Sequence, residues 1–294
     1  MEAPNKANLF VIGAMRAGTT SFMELLSSHP DIYVSPIKEP HFFTETLPEA
    51  IFEPQPATFL ENYFKKQFPA PIHRAHVKDQ RDYNKLFKNG SAVLYRAEGS
   101  VSYLHAPNAA TGIQHYNPEA KIIVLTRNPL QRAQSQYLMD KGLFRENRSF
   151  EEVLTTEIEA YNKGKLPWYS TLGMSFYKKP ISNFERCFPD NVLVLSLEDF
   201  VTKPSEVIES VALFLEISSF TMEHLPNLNK NKELRFRKIF RIFYKGALAK
   251  WLISSTPALL KKKLKRIFFS ERNAPVQVSE NLYTTLESIF KKEC

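Results

Sequence analysis

A three-layer α/β fold with a mostly parallel central sheet is predicted by three features of this sequence. Short apolar runs occur at 8–13, 93–97, 121–126 and 191–197, helical periods fall between them, and a glycine-bearing turn joins the first run to the first helix. Parallel strands need crossover connections, and the intervening helices supply them on both faces of the sheet. With 294 residues, 43% of them apolar and 24% charged, the chain can bury a large core. One domain spanning 1–294 is expected, made of an α/β core at 1–225 and a basic helical extension at 226–294.

The elements follow in chain order. Residues 8–13 read as a short buried strand, and the period of Phe22, Leu25 and Leu26 predicts a helix over 20–28. Residues 32–34 are strand-like. A proline-rich, aromatic stretch at 46–80 reads as an irregular excursion or lid. The strand at 93–97 leads to a helix from near Pro107, and Ile122-Ile-Val-Leu125 marks the strand at 121–126. Pro129 suits the first turn of a helix reaching about Lys141. Helical stretches at 150–163 and 175–188, a strand at 191–197 and a helix at 204–215 complete the core.

The formal charge of +8 is concentrated near the carboxyl end: 230–272 holds fourteen Lys and Arg against Glu233 and Glu271. Two mixtures of cations with large apolar residues, 235–244 and 261–269, suit either amphipathic helices packed on the domain or contact with an anionic membrane or acidic acceptor. No nucleic-acid reading motif accompanies the charge, so no nucleic-acid partner is expected. Cys187 and Cys294 lie far apart, which suggests neither a disulfide framework nor a metal cluster. Without a secretory pattern or a transmembrane run, a cytoplasmic setting is expected, with membrane contact at most peripheral.

Gly13-Ala-Met-Arg16-Ala17-Gly18-Thr19-Thr20-Ser21 sits where strand gives way to helix. Unpaired amides there favour an anionic group. The spacing is that of a P-loop, yet Thr19 stands where that motif requires lysine and the cation comes earlier, as Arg16. The strand at 121–126 also ends in Thr126-Arg127 rather than in an aspartate suited to magnesium. These departures weigh against ATP hydrolysis. A P-loop kinase that recruits Glu198 and Asp199 for magnesium is the main alternative, and an inert scaffold or membrane-surface protein is a second.

Thr126-Arg127-Asn-Pro-Leu-Gln-Arg132-Ala-Gln-Ser135-Gln-Tyr137 places an arginine at a strand end and a serine on the helix that follows. A guanidinium fork and a hydroxyl can share one phosphate. Pro36-Ile-Lys38-Glu39-Pro40-His41-Phe42-Phe43 adds a carboxylate and an imidazole of the kind that accepts a proton from an attacking hydroxyl.

Together these three stretches resemble the signatures of the sulfotransferases that use 3′-phosphoadenosine 5′-phosphosulfate (PAPS), in the branch with bacterial and carbohydrate sulfotransferases. The resemblance implies that Arg16, the amides of Ala17, Gly18, Thr19 and Thr20, and Ser21 form the 5′-phosphosulfate loop. It implies that Arg127 and Ser135 grip the 3′-phosphate. It makes Glu39 the general base, with His41 as helper or alternative and Lys38 as a further cation. Glu98-Gly99-Ser100-Val101-Ser102-Tyr103-Leu104 is similar to a fourth family segment, in which many members carry lysine where Gly99 stands. The likeness continues through Tyr177, Phe184, Phe188-Pro189 and Leu197-Glu198-Asp199-Phe200, and a match of 229–235 to the family's donor-closing loop implies Arg235 as a further phosphate contact. The expected reaction is metal-independent transfer of a sulfuryl group from PAPS to a hydroxyl or amine. The acceptor is expected on a glycan or glycolipid, with a carrier-bound or small metabolite as the alternative.

Overall fold

The computed structural model describes residues 6–220 and 278–294, together with the backbone of 232–234 and 269–271. Its central sheet has five parallel strands in the order β2-β5-β1-β6-β7: β1 Leu9–Val11, β2 Ile32–Val34, β5 Tyr95–Glu98, β6 Lys121–Thr126 and β7 Val192–Ser196. A second, two-stranded parallel sheet pairs β3 Ile37–Glu39 with β4 Ile72–Arg74. The helices of the first half are α1 Thr19–Leu26, α2 Phe59–Lys66, α3 Gln80–Lys85 and α4 Ala109–Tyr116. Those of the second are α5 Pro129–Gly142, α6 Phe150–Asn162, α7 Lys178–Cys187, α8 Leu197–Thr202 and α9 Pro204–Leu215.

The order of strands explains their composition. β1 lies between β5 and β6 with helices over both faces, so Leu9, Phe10 and Val11 are wholly buried, as are Ile122 to Leu125 in β6. Strands shielded on both sides read as continuous apolar runs without alternation. The strand and helix positions match those expected at β1, β2, β6, α5, α6 and α9 to within two residues.

Local signals set the helix starts. Asn128 accepts from the Gln131 amide ahead of α5, with Pro129 in its first turn. Ser149 and Glu152 form a reciprocal capping box on α6. Ser196 caps α8 by accepting from the Asp199 amide at 2.9 Å.

The stretch at 46–80 differs from its reading as an irregular excursion, because it contains α2 and β4. Two contacts hold it to the domain, through Ile51 and Glu53, and a third, from Arg74 to Ile51, ties it to itself. Ile51 is buried with Met15, Val101 and Met174. Arg74 Nη1 donates to the Ile51 carbonyl at 3.1 Å, and Arg145 pairs with Glu53 at 3.4 Å.

The carboxyl-terminal segment is described only in part. β8 Lys232–Leu234 pairs antiparallel with β9 Phe269–Glu271, so the extension read as helical also carries strands. The two basic mixtures at 235–244 and 261–269 lie outside the described residues, apart from the backbone of Phe269. A last helix, α10 Glu280–Glu293, buries Leu286 and Ile289 against Ala133, Tyr137, Phe150 and Leu154. Burial of two such side chains contributes about 1.5–3 kcal/mol each, enough to dock the helix. Lys291 and Lys292 sit in its last turn, where the helix dipole favours cations. Among the described residues, no helix is long and apolar enough to cross a membrane.

Candidate functional site

The turn after β1 supplies the first half of the site. Gly18 precedes α1 in the left-handed region, with φ of 83°, and offers no side-chain cap. A Cβ there would lie 2.7 Å from Leu197 Cδ1, so glycine is required both by the backbone and by the approach of α8. Thr19, Thr20 and Ser21 open α1, and a helix leaves its first amides unbonded. Ala17 departs from expectation. Its N–H donates to the Ala14 carbonyl at 3.1 Å, so the turn itself uses an amide assigned to the anion.

The strand end and helix of the second motif meet this turn directly. Arg127 Nη1 donates to the Arg16 carbonyl at 3.2 Å, and Arg16 Nε donates to Ser135 Oγ at 3.0 Å. Residues expected at opposite ends of a donor therefore touch, because Arg16 extends along α5 far enough for Nη1 to reach Met139 Sδ. Burial lowers the pKa of Arg16, Arg127 lowers it further, and Asp140 opposes the shift. Two neighbouring guanidinium groups taken out of water repel each other, and a bound dianion relieves that repulsion. Arg127 Nε is buried without a hydrogen-bond partner among the described residues, which leaves one donor available for such a ligand.

A third arginine escaped the sequence reading. Arg132 is wholly buried, donates from Nε to Ser175 Oγ at 2.7 Å, and donates from Nη2 to the Thr171 carbonyl. Its Nη1 reaches the Met15 carbonyl at 3.5 Å, so it braces the turn from below. Burial brings its pKa down to about 10. The signal was its place in α5, whose inward positions Arg132, Ser135 and Gln136 are polar.

β3 carries the second half. Glu39 is 3% exposed, with Lys38 Nζ 2.7 Å from Oε1 and His41 Nε2 3.4 Å from Oε2. His73 lies 3.7 Å and Arg74 Nε 3.9 Å from the same carboxylate. Burial alone pushes the Glu39 pKa up, but His41, Lys38 and Arg74 outweigh it and hold the group well below the usual carboxylate range. Glu39 is thus ionised at neutral pH. Its Oε2 is buried without a hydrogen-bond partner among the described residues. His73 and Arg74, both brought in by β4, were not anticipated, because three-residue parallel pairing over such a separation leaves no periodic mark.

The 98–104 segment joins the two halves. Leu104 N–H donates to the Ile12 carbonyl at 2.9 Å, beside the first turn. The same segment offers Ser100 Oγ to the His41 N–H at 2.9 Å, and Ser102 Oγ shares a hydrogen with His41 Nδ1 at 2.8 Å. Gly99 faces Met23 of α1, where a Cβ would come within 2.9 Å.

Glu98, the first residue of this segment, is wholly buried and accepts from Ser100 Oγ at 2.7 Å and Tyr83 OH at 3.1 Å. Burial raises its pKa from an ordinary 4.5 to about 7, against the pull of those donors and Tyr103. Between those values the folded chain holds a proton that the unfolded chain has released. The resulting stabilisation is complete below 4.5 and lost as pH rises through 7. Glu98→Gln is therefore expected to gain stability relative to wild type as pH rises, with a change on the order of 3 kcal/mol across the window. Chemical denaturation at about pH 5 and about pH 8 measures it, and parallel curves for the two proteins contradict it.

The two acids that a magnesium-dependent phosphotransferase would recruit already have partners. Glu198 Oε1 accepts from the Asn128 amide at 2.9 Å, and Asp199 Oδ2 accepts from Ser196 Oγ at 2.6 Å. Arg235 lies outside the described residues.

The parallel sheet gathers a helix-opening turn and three buried or half-buried arginines beside its strand ends, an α/β arrangement with positive charge concentrated at one place. The chain belongs to the sulfotransferase family, whose model matches residues 8–221. A solved sulfotransferase from Alicyclobacillus acidocaldarius is 28% identical with a TM-score of 0.57, covering 87% of this chain and 99% of its own. Mouse (Mus musculus) carbohydrate sulfotransferase 15 is 23% identical over 60% of this chain, and mouse heparan sulfate glucosamine 3-O-sulfotransferase 5 is 22% identical over 88%. The match spans 34% of the length of the first of these and 68% of the second.

Proposed function

We propose that this protein transfers a sulfuryl group from PAPS to a hydroxyl or amine of a glycan or glycolipid. The observation that carries the reading is the meeting of Arg16, Arg127 and Ser135, from two distant stretches of chain, beside the Gly18 turn. Family membership and the carbohydrate sulfotransferase relatives support it.

The donor, when bound, supplies an activated sulfuryl group on a phosphate leaving group. The α1 amides and Arg16 present positive charge to that phosphate, where negative charge grows during transfer. Arg127 and Ser135 hold the nucleotide's 3′-phosphate, with Arg127 Nε as the donor that has no hydrogen bond among the described residues. Glu39 accepts the acceptor's proton at Oε2, and His41 is fixed beside it by Ser102. Fixed charge and positioning supply most of the rate in transfers of this kind, since the chain has little covalent chemistry to perform.

Titration calorimetry with adenosine 3′,5′-bisphosphate tests the donor site. Wild type is expected to release heat, and Arg127→Ala to bind about 10-fold or more weakly, the loss of one hydrogen bond to a charged group. No heat with wild type overturns the reading. A donor-dependent sulfation screen by mass spectrometry across glycans, glycolipids and small metabolites then identifies the acceptor class.

A further inference from the structure

A cleft of about 690 Å³ opens between the 47–65 stretch and residues 76–85, away from the arginine cluster. Its size falls within the range of small-molecule sites. One wall belongs to the proton-accepting half of the site. Phe52, 5% exposed, sets its ring edge-on to His41 with centroids 5.8 Å apart, and to His76 at 6.2 Å. His76 in turn contacts the Thr44 carbonyl through Nε2 at 3.0 Å, and Thr44 Oγ1 is 2.8 Å from Ser102 Oγ, the partner of His41 Nδ1. The cleft therefore abuts the residues assigned to proton removal.

Its lining does not suit a polyanion. Phe59, Leu60 and Phe64 are half-buried along it, with Leu47 and Phe52 beside them. Two of the three lysines on its rim are paired with acids: Lys65 with Glu61 at 2.6 Å and Lys85 with Asp82 at 2.7 Å. Asp79, at the same rim as Lys78, is engaged in capping α3. A sulfated or uronic-acid polysaccharide needs uncompensated cations, whereas an alkyl tail needs apolar surface beside a neutral polar rim.

We propose that this cleft takes the aliphatic tail of the acceptor, so that the substrate class is an uncharged, tail-bearing alcohol such as a glycolipid rather than a polyanionic glycan. The assignment rests on the sulfuryl-transfer reading and deepens it. The tail lies along Phe59, Leu60 and Phe64, and the head group is directed past Phe52 towards Glu39 and His41.

The test is calorimetric titration of the full chain, saturated with adenosine 3′,5′-bisphosphate, with methyl, hexyl and octyl glucosides below their critical micelle concentrations. A heparosan oligosaccharide serves as the polyanion probe. Affinity is expected to rise about fourfold per added methylene in wild type, with the octyl glucoside binding more tightly than the heparosan probe. Phe64→Ser, checked for folding by its melting curve, is expected to flatten the series while leaving the nucleotide heat unchanged. A flat series in wild type, or tighter binding of heparosan than of octyl glucoside, overturns the proposal and needs no variant to do so. Nucleotide heat with a flat series sinks the cleft assignment alone, whereas absence of nucleotide heat sinks the sulfuryl-transfer reading beneath it.

Discussion

Glu39→Gln is expected to lower kcat by about 10²–10⁴-fold, the range associated with losing a positioned proton acceptor. The amide keeps the size of the side chain and its place on β3 but cannot take a proton from the attacking group. The change also removes the only carboxylate within 4.0 Å of Lys38, His41, His73 and Arg74 among the described residues. Some stability should therefore be lost, and nucleotide heat is the control that separates chemistry from misfolding. A variant that binds adenosine 3′,5′-bisphosphate normally and turns over within threefold of wild type removes Glu39 from proton transfer. The low pKa has its own consequence for folding. A depressed carboxylate contributes stability above its ordinary value of 4.5 and loses it as pH falls through the folded value. The neutral range is untouched, so activity there should show no titration of Glu39 in the free enzyme.

Arg132→Met is expected to cost about 2–4 kcal/mol, the largest stability loss among these substitutions at neutral pH. Methionine fills much of the volume, but the Thr171 and Met15 carbonyls lose their donor in a water-excluded site. Relief from burying a charge offsets part of the loss, which is why the expected figure stays below the sum of the separate contacts. Denaturant unfolding measures it, and a change below about 0.5 kcal/mol, the scatter of an ordinary surface substitution, contradicts the bracing role. Nucleotide affinity should fall as well, because Met15 belongs to the turn that Arg132 supports.

Much of the fold was legible because its inner strands, β1 and β6, are shielded on both faces. Continuous runs such as Lys121–Thr126 announce a buried strand without any need for alternation, and Pro129 and Pro204 announce the starts of α5 and α9. The same physics hid β3 and β4. Three-residue segments carrying Lys38, Glu39, His73 and Arg74 have neither apolar continuity nor a period, and their pairing is visible only after the chain between them has folded back. In the candidate site, residue type and position brought Arg16, Glu39, Arg127 and Ser135 to notice, and their expected roles came from the resemblance to the sulfotransferases. What no spacing conveys is the reach of Arg16 onto Ser135, since it depends on the direction of one long side chain. Arg132 was hidden by its surroundings: a helix that turns polar residues inward shows no apolar stripe to betray which of them are buried.

The 98–104 segment, hydrogen-bonded to Ile12 at one end and to His41 in its middle, is one short length of chain shared by the glycine turn and the imidazole. Should nucleotide bound at the turn shift that segment, the imidazole side would feel it, and reciprocity would then require the acceptor to alter nucleotide affinity by the same factor. Titrating adenosine 3′,5′-bisphosphate with and without octyl glucoside reads that factor, and equal affinities show that the segment carries no coupling.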